Sequence, residues 1–121
     1  MQAIRVHPAP KHLKPFSPSN PASPSALQLD EIPIPRPENH GDILIRVKAT
    51  AVIRDSLTWP ETYATELAIL GHDFAGIVED GGTTSFQQGD EVFGTASVDS
   101  GSTWAETQLS EKVNLHGSPG I

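Results

Sequence analysis

The chain has 121 residues, and its 15 Asp and Glu against 8 Lys and Arg give a formal net charge of −7 at pH 7. This length suits one domain with a modest core, and the acidic balance argues against a nucleic-acid partner because phosphate binding requires a basic face. Cysteine is absent, which excludes a disulfide framework, a Cys-ligated zinc ion and a thiol nucleophile. No apolar run approaches the roughly 20 residues of a membrane span, and the first residues lack a secretory signal, so we expect a soluble, cytoplasmic protein without membrane contact.

Proline dominates the first third of the chain. Nine of the eleven prolines lie between Pro8 and Pro37, and proline neither pairs in a central strand nor continues a helix. We therefore interpret residues 8–25 as a surface excursion between a first strand, Gln2–Val6, and a second, Ala26–Glu31. The alternative is that this excursion is disordered, since its composition buries little apolar surface.

Strand-like alternation begins at residue 42. In the segment 42–53 every second side chain is apolar and those between are mostly polar, which predicts a half-buried strand. The predicted inward side chains are Ile43, Ile45, Val47, Ala49 and Ala51. Further strands are predicted at 73–80, 91–94, 104–109 and 112–115, with turns at Gly81–Gly82, 88–90 and Ser100–Gly101. Core or near-core positions are assigned to Phe74, Val78, Val92 and Phe93.

Helical signal is poor throughout the chain. Only residues 55–63 could hold a turn or two of helix, with Asp55 or Ser56 as the N-cap, and Pro60 is expected to limit it. Many short strands separated by Gly and Pro turns indicate a mainly β fold, either a small barrel or a sandwich.

Five short motifs resemble the N-terminal half of medium-chain dehydrogenases/reductases, which is a GroES-like domain. They occur in the family's order: Ala49–Val52 followed by Arg54–Asp55, then Trp59–Thr62, Gly71–Val78, Gln88–Gly94 and Trp104–Glu106. The most similar subset is the zinc-independent quinone oxidoreductase and enoyl reductase group. The resemblance implies a mainly β, partly open barrel with one or two short helical turns, spanning residues 1–121.

The resemblance also implies a Rossmann domain that follows and binds NADPH at a Gly-rich turn. No Gly-x-Gly-x-x-Gly motif lies between a strand and a helix in residues 1–121. We therefore expect that the chain binds no cofactor and transfers no hydride by itself. It is either a piece of a longer enzyme or a truncated relative with another task.

Zinc-dependent relatives ligate a catalytic metal through a Cys after the Ala-Thr strand and through the His and Glu of Gly-His-Glu. The corresponding positions here are Ile53, His72 and Asp73. Isoleucine cannot ligate, and a catalytic zinc needs about three protein ligands, so no metal is expected. Zinc-independent relatives commonly have Asn at the Ile53 position, near the substrate.

Three side chains are candidates for proton transfer. Asp55 could act as a base, His72 could shuttle protons together with Asp73, and Tyr63 could donate a hydrogen bond to a carbonyl or enolate oxygen. Each also has a structural interpretation: Asp55 as an N-cap or partner of Arg54, His72 and Asp73 as turn-holding residues, and Tyr63 as a core aromatic.

Four residues are candidates for substrate binding. Trp59 and Trp104 could line an apolar pocket for an enone, a quinone or a polyketide-like molecule, with Arg54 and Asp73 among the polar contacts. Both tryptophans could equally be core residues, because a small barrel needs their apolar area.

Three functions remain open from the sequence. The chain could be the substrate-side domain of a zinc-independent, NADPH-dependent enoyl or quinone reductase. It could instead stand alone and catalyse a redox-neutral isomerisation, cyclisation or dehydration of a natural-product intermediate. It could also be a noncatalytic binding or assembly module. In both stand-alone cases we expect a homodimer through the face that the Rossmann domain would otherwise cover.

Overall fold

The computed structural model describes residues 1–53, 55–96, 102–111 and 115–117. Within these residues the fold is mainly β, as predicted. The strands are β1 (Gln2–Val6), β2 (Leu27–Glu31), β3 (Asp42–Thr50), β4 (Asp73–Asp80), β5 (Glu91–Thr95), β6 (Thr107–Glu111) and β7 (Leu115–Gly117). Two short 3-10 helices span Pro24–Ala26 and Pro60–Tyr63. No helix in the described part of the chain is long and apolar enough to cross a membrane.

The strands form two antiparallel sheets. β1 and β2 make a two-stranded ribbon, and the other five strands are ordered β6-β3-β4-β5-β7. Backbone hydrogen bonds join the ribbon to the segment before β6: Ile4 N donates to Trp104 O at 2.9 Å, and Glu106 N donates to Gln2 O at 3.0 Å. The ribbon is therefore joined to the segment that leads into β6.

The main hydrophobic core lies on the inner face of the five-stranded sheet. Its buried members come from β3, β4, β5 and the loop before β5: Ile43, Ile45, Phe74, Val78, Phe86 and Val92. Full burial of side chains of this size contributes roughly 1.5 to 3 kcal/mol each. This core positions the ends of β3, β4 and β5, where the candidate site lies.

A second, smaller cluster anchors the proline-rich excursion. Its buried residues are Val6, Ala22 and Leu70, and Phe16 and Trp104 are among the partly buried side chains that pack against it. Ala22 and Phe16 belong to the excursion, so the fold ties this segment to β1 and to the residues before β4.

The strands predicted at 2–6 and 73–80 begin and end at the same residues as β1 and β4. The later strands start farther along the chain than predicted, β6 at Thr107 and β7 at Leu115. Residues 112–114 and the predicted turn at Ser100–Gly101 lie outside the described residues.

The prediction that Ala49 and Ala51 point inward was wrong. Val47 pairs with Gly76 but Ala49 pairs with Ala75, so Lys48 is an extra residue in β3, a β-bulge. A bulge reverses the alternation beyond it, and Ala49 and Ala51 are accordingly exposed. Strict period-two reasoning cannot detect such a reversal.

The assignment of Phe93 to the core was also wrong. Phe93 is 59% exposed, whereas its neighbour Val92 is 4% exposed. Consecutive residues of a strand point to opposite faces, so the two adjacent apolar side chains cannot both face the core. The other three predicted core residues, Phe74, Val78 and Val92, are buried.

A short helical turn lies within residues 55–63, as predicted, but the expected N-cap and the expected effect of Pro60 were wrong. Pro60 opens the short 3-10 helix instead of limiting one, because the first turn of a helix needs no N–H from its first residue. Residues 55–58 form a turn in which Thr58 N donates to Asp55 O at 2.9 Å, and Trp59 stands at the N-cap position of the helix.

Candidate functional site

A pocket of about 170 Å³ opens where β3 ends, β4 begins and β5 ends. It is smaller than the pockets that enclose whole drug-sized ligands, so its size suits only the reacting end of a larger molecule. The described lining residues are Ala51, Ile53, Trp59, Gly71, His72, Asp73, Thr95 and Ala96.

His72 makes one contact through its side chain and another through its backbone. Its imidazole lies 5.1 Å from the ring of Trp59, centroid to centroid, with the planes tilted by 50°. Its backbone oxygen accepts a hydrogen bond from Ala96 N at 2.6 Å. The structure therefore brings together two of the predicted site residues, His72 and Trp59, in one half-buried arrangement.

Asp73 begins β4 with its carboxylate exposed. Thr95 Oγ1 donates to Asp73 Oδ1 at 3.3 Å, and these two residues are register partners of β4 and β5. The Asp73 backbone oxygen accepts from Thr50 Oγ1 at 2.8 Å and from Ala51 N at 3.4 Å. Asp73 thus connects all three strand ends that form the pocket.

Trp104 supports the pocket from behind. Its Nε1 donates to the backbone oxygen of Ala51 at 3.0 Å, and its ring packs against the cluster that contains Val6 and Leu70. It is not among the described lining residues of the pocket. The structure therefore gives Trp104 a positioning role toward Ala51.

Tyr63 lies apart from this pocket. Its hydroxyl accepts a hydrogen bond from Ala22 N at 3.0 Å and donates a short one to the backbone oxygen of Leu57. Its ring packs on the second cluster. These contacts engage the hydroxyl in tying the proline-rich excursion to the loop before the 3-10 helix.

Asp55 is exposed and is not among the described residues that line the pocket. Its backbone oxygen accepts from both the N–H and the hydroxyl of Thr58, each at 2.9 Å. Asp55 therefore lacks the partial burial expected of a catalytic carboxyl group. Arg54, predicted to bind substrate, lies outside the described residues.

The pocket does not fit a catalytic zinc ion. Ile53, at the position where zinc-dependent relatives have Cys, lines the pocket with a side chain that carries no donor atom. Only His72 and Asp73 then remain of the three positions that ligate zinc in those relatives, and two protein ligands are too few for a catalytic zinc ion. Among the described residues no group of three or more His, Cys, Asp and Glu side chains could hold a metal ion.

The family follows from a comparison of the sequence with known families. Residues 39–121 match the model of the alcohol dehydrogenase GroES-like domain, and this range includes every strand that forms the pocket. The chain belongs to this family. It is a GroES-like domain of the medium-chain dehydrogenase/reductase superfamily, which confirms the predicted family and fold class.

Solved structures support the same fold. The GroES-like domain is similar to quinone oxidoreductase from Coxiella burnetii (TM-score 0.75, 21% identity, 99% of this chain and 37% of that chain). It is also similar to Escherichia coli quinone oxidoreductase complexed with NADPH (TM-score 0.72, 18% identity, 98% and 33%). A third structure, of a protein from Rhizobium etli CFN 42 described as a zinc-dependent alcohol dehydrogenase, is 32% identical in sequence (TM-score 0.72, 100% of this chain and 34% of that chain).

The chain spans about a third of the length of these three structures. At 18% and 21% identity, the two quinone oxidoreductases show a shared fold and no more. Among curated proteins there is no significant match to the sequence.

Sequence reasoning missed part of the GroES-like domain's pocket wall. Thr95 and Ala96 line it, but neither was singled out. The signal that could have found Thr95 is the antiparallel pairing of the predicted strands 73–80 and 91–94, which places residues just after the second strand beside Asp73. Ala51 was assigned to the core and instead forms part of the pocket.

Proposed function

We propose that this GroES-like domain holds the reacting end of an enone or quinone for a zinc-independent reduction, with NADPH bound by a separate domain. The single observation that carries the proposal is the placement of the His72 imidazole beside Trp59 in a pocket whose metal-ligand position is Ile53. A polar hydrogen-bonding group then stands at an otherwise largely apolar opening, where a carbonyl group can be received.

The pocket does not fit a whole dinucleotide, because about 170 Å³ accommodates only part of a ligand of that size. NADPH, when bound elsewhere, supplies a hydride. The contribution of the chain's own residues is to bind the carbonyl compound, to orient it and to exclude water from its apolar part.

Four side chains divide this work. Trp59 and Ile53 contact the apolar portion of the substrate, and Trp59 also restrains the imidazole of His72. His72 donates a hydrogen bond to the substrate oxygen, where negative charge develops when an enone or quinone is reduced. Asp73, whose carboxylate accepts a hydrogen bond from Thr95, offers a second polar contact to the substrate in the same pocket.

Cyclohex-2-enone tests this proposal with the 121-residue chain. Binding is followed by the tryptophan fluorescence of the parent chain, in which Trp59 lines the pocket. We expect saturable quenching, and about five-fold or greater weakening in His72→Asn, since one hydrogen bond to the ligand is lost. Equal affinity of the His72→Asn variant and its parent would overturn the role of His72.

Turnover distinguishes the proposed reductase domain from its rivals. The chain alone is expected to leave both NADPH and cyclohex-2-enone unconsumed. Stoichiometric binding of NADPH by this chain would contradict the assignment of the cofactor to a separate domain. The redox-neutral alternative receives no support from the geometry, because Asp55 and Tyr63 do not meet His72 in one described pocket.

An assembly module is a second candidate, and one surface favours it. Ala49, Ala75 and Phe93 are cross-strand neighbours on the outer face of β3, β4 and β5, and all three are exposed. An apolar row of this kind is typical of a contact surface. We propose that a second copy of the chain covers it.

Sedimentation velocity across a concentration series tests this association. We expect Phe93→Ser to shift the chain from dimer to monomer. Leu13→Ser is the matched control, because Leu13 is similarly exposed, at 55% against 59%, but lies in the proline-rich excursion. A monomeric parent chain, or equal dissociation in the two variants, would contradict the candidate.

A further inference from the structure

A second and larger pocket, of about 440 Å³, lies beside β6 and the residues that follow β2. Its described walls combine apolar residues, among them Ile32, Pro33, Ile69 and Leu109, with polar ones that include Gln108. It shares one described lining residue, Ala96, with the pocket that contains His72. The size falls within the range of small-molecule binding sites.

Gln108 is the unusual member of this wall. Its side chain is 1% exposed, and it stands opposite Ile45 in the pairing of β6 with β3, so it shares the inner face of the sheet with a core residue. Among the described residues, neither Oε1 nor Nε2 has a hydrogen-bond partner.

A buried carboxamide without partners is unfavourable for folding. Each of its polar atoms gives up its hydrogen bonds to water on folding and gains none from the described residues in return. An aliphatic residue would suit an inward position next to Ile45 better. The stability of the fold alone therefore does not explain the presence of Gln108, whereas a ligand that pairs with both atoms does.

The charges around the pocket select a neutral ligand. Asp42 is one of the described lining residues, and none of them is Lys or Arg. Met1 also lines the pocket, and its N-terminal ammonium is paired with Glu31 Oε1 at 3.0 Å. A carboxylate ligand would therefore meet a negative charge without a free positive partner.

We propose that this pocket binds a neutral small molecule that carries an amide of the lactam type. The ligand N–H donates to Gln108 Oε1, and the ligand carbonyl accepts from Gln108 Nε2. A lactam holds its N–H and C=O on the same side, which matches the paired acceptor and donor of one carboxamide. This assignment is independent of the reductase proposal, because it uses a different pocket.

Two matched probes test it in the 121-residue chain. The first is 2-piperidone, and the second is N-methyl-2-piperidone, which retains the ring and carbonyl but lacks the N–H. With ¹⁵N-labelled glutamine, we expect 2-piperidone to shift the side-chain amide signals of Gln108 saturably. The N-methyl compound should bind at least about five-fold more weakly, because one hydrogen bond is missing.

Two variants assign the effect to the residue. Gln108→Met preserves size without the amide and should weaken 2-piperidone binding by about five-fold or more, whereas Gln28→Met, at an exposed position of β2, should leave it unchanged. Absence of any shift of the Gln108 amide signals, equal affinity of the two probes, or equal affinity of Gln108→Met and its parent would each overturn the proposal. The first of these outcomes would mean that the pocket holds water only.

Discussion

Gly71 and Trp104 are in such close contact that no side chain fits between them. A Cβ atom on Gly71 would lie 2.4 Å from Cδ1 of Trp104 and 2.1 Å from Oγ1 of Thr103. Gly71 also has a φ of +96°, a conformation that side chains disfavour. The absence of a side chain at Gly71 therefore allows Trp104 to reach Ala51, and Trp104 Nε1 donates a hydrogen bond to the Ala51 backbone oxygen.

Gly71→Ala is expected to lower the free energy of unfolding by about 3 kcal/mol or more, because steric overlap adds to backbone strain. Gly89→Ala is the matched control: its φ is +97°, but a Cβ there meets nothing within 4 Å. Strain alone should cost this control about 1 kcal/mol. Urea denaturation measures both, and equal losses would contradict the contact between Gly71 and Trp104.

Tyr63→Phe separates a structural tyrosine from a catalytic one. Loss of the hydroxyl leaves Ala22 N and Leu57 O without their partner, which should lower the free energy of unfolding by about 1 to 2 kcal/mol. The affinity for cyclohex-2-enone should stay unchanged, the reverse of the pattern expected for His72→Asn. Weaker ligand binding with unaltered stability would return Tyr63 to the candidate site.

Asp30 provides a pH dependence of stability. Hydrogen bonds from Arg5 Nε and then from His7 Nε2, each 2.7 Å long, hold the pKa of Asp30 below its ordinary value of 3.8. Between the two pKa values the unfolded chain binds more protons, so this stabilisation is complete above about pH 5 and is lost as the pH falls below 3.8.

The measurement is the free energy of unfolding of the parent chain and of Asp30→Asn from pH 6 to pH 3. We expect a difference that is constant above about pH 5 and shrinks in more acidic solution. Glu38→Gln, at an exposed carboxylate outside the ribbon, serves as the control for general charge effects. A difference that grows as the pH falls would show that the sign of the shift is wrong.

Regular alternation made much of the fold predictable. β4 could be placed at both ends because Phe74 and Val78 alternate with more exposed residues over its length. Phe93 could not be placed, because Val92 and Phe93 are both apolar and only pairing with Gly76 and Ala75 decides which of them faces the core. Local patterns do not contain that tertiary information.

The candidate site was predictable only in part, for similar reasons. His72 and Trp59 come from motifs that the family resemblance placed in one region, and the structure brings them into contact. Tyr63 lies only four residues after Trp59, but its ring packs on the second hydrophobic cluster, around Val6, Ala22 and Leu70. Gln108 carries no local signal at all, since a glutamine between Thr107 and Leu109 reads as an ordinary exposed strand residue.

The extra residue at Lys48 has a consequence for how this site can change in evolution. Because one added position exchanges inside for outside, Ala51 stands with Asp73 at the pocket and not in the core. Deletion of Lys48 would turn Ala51 away from the pocket, although no other amino acid of the chain would be exchanged. Length variation at this point is therefore expected to be more restrictive for function than amino-acid exchange.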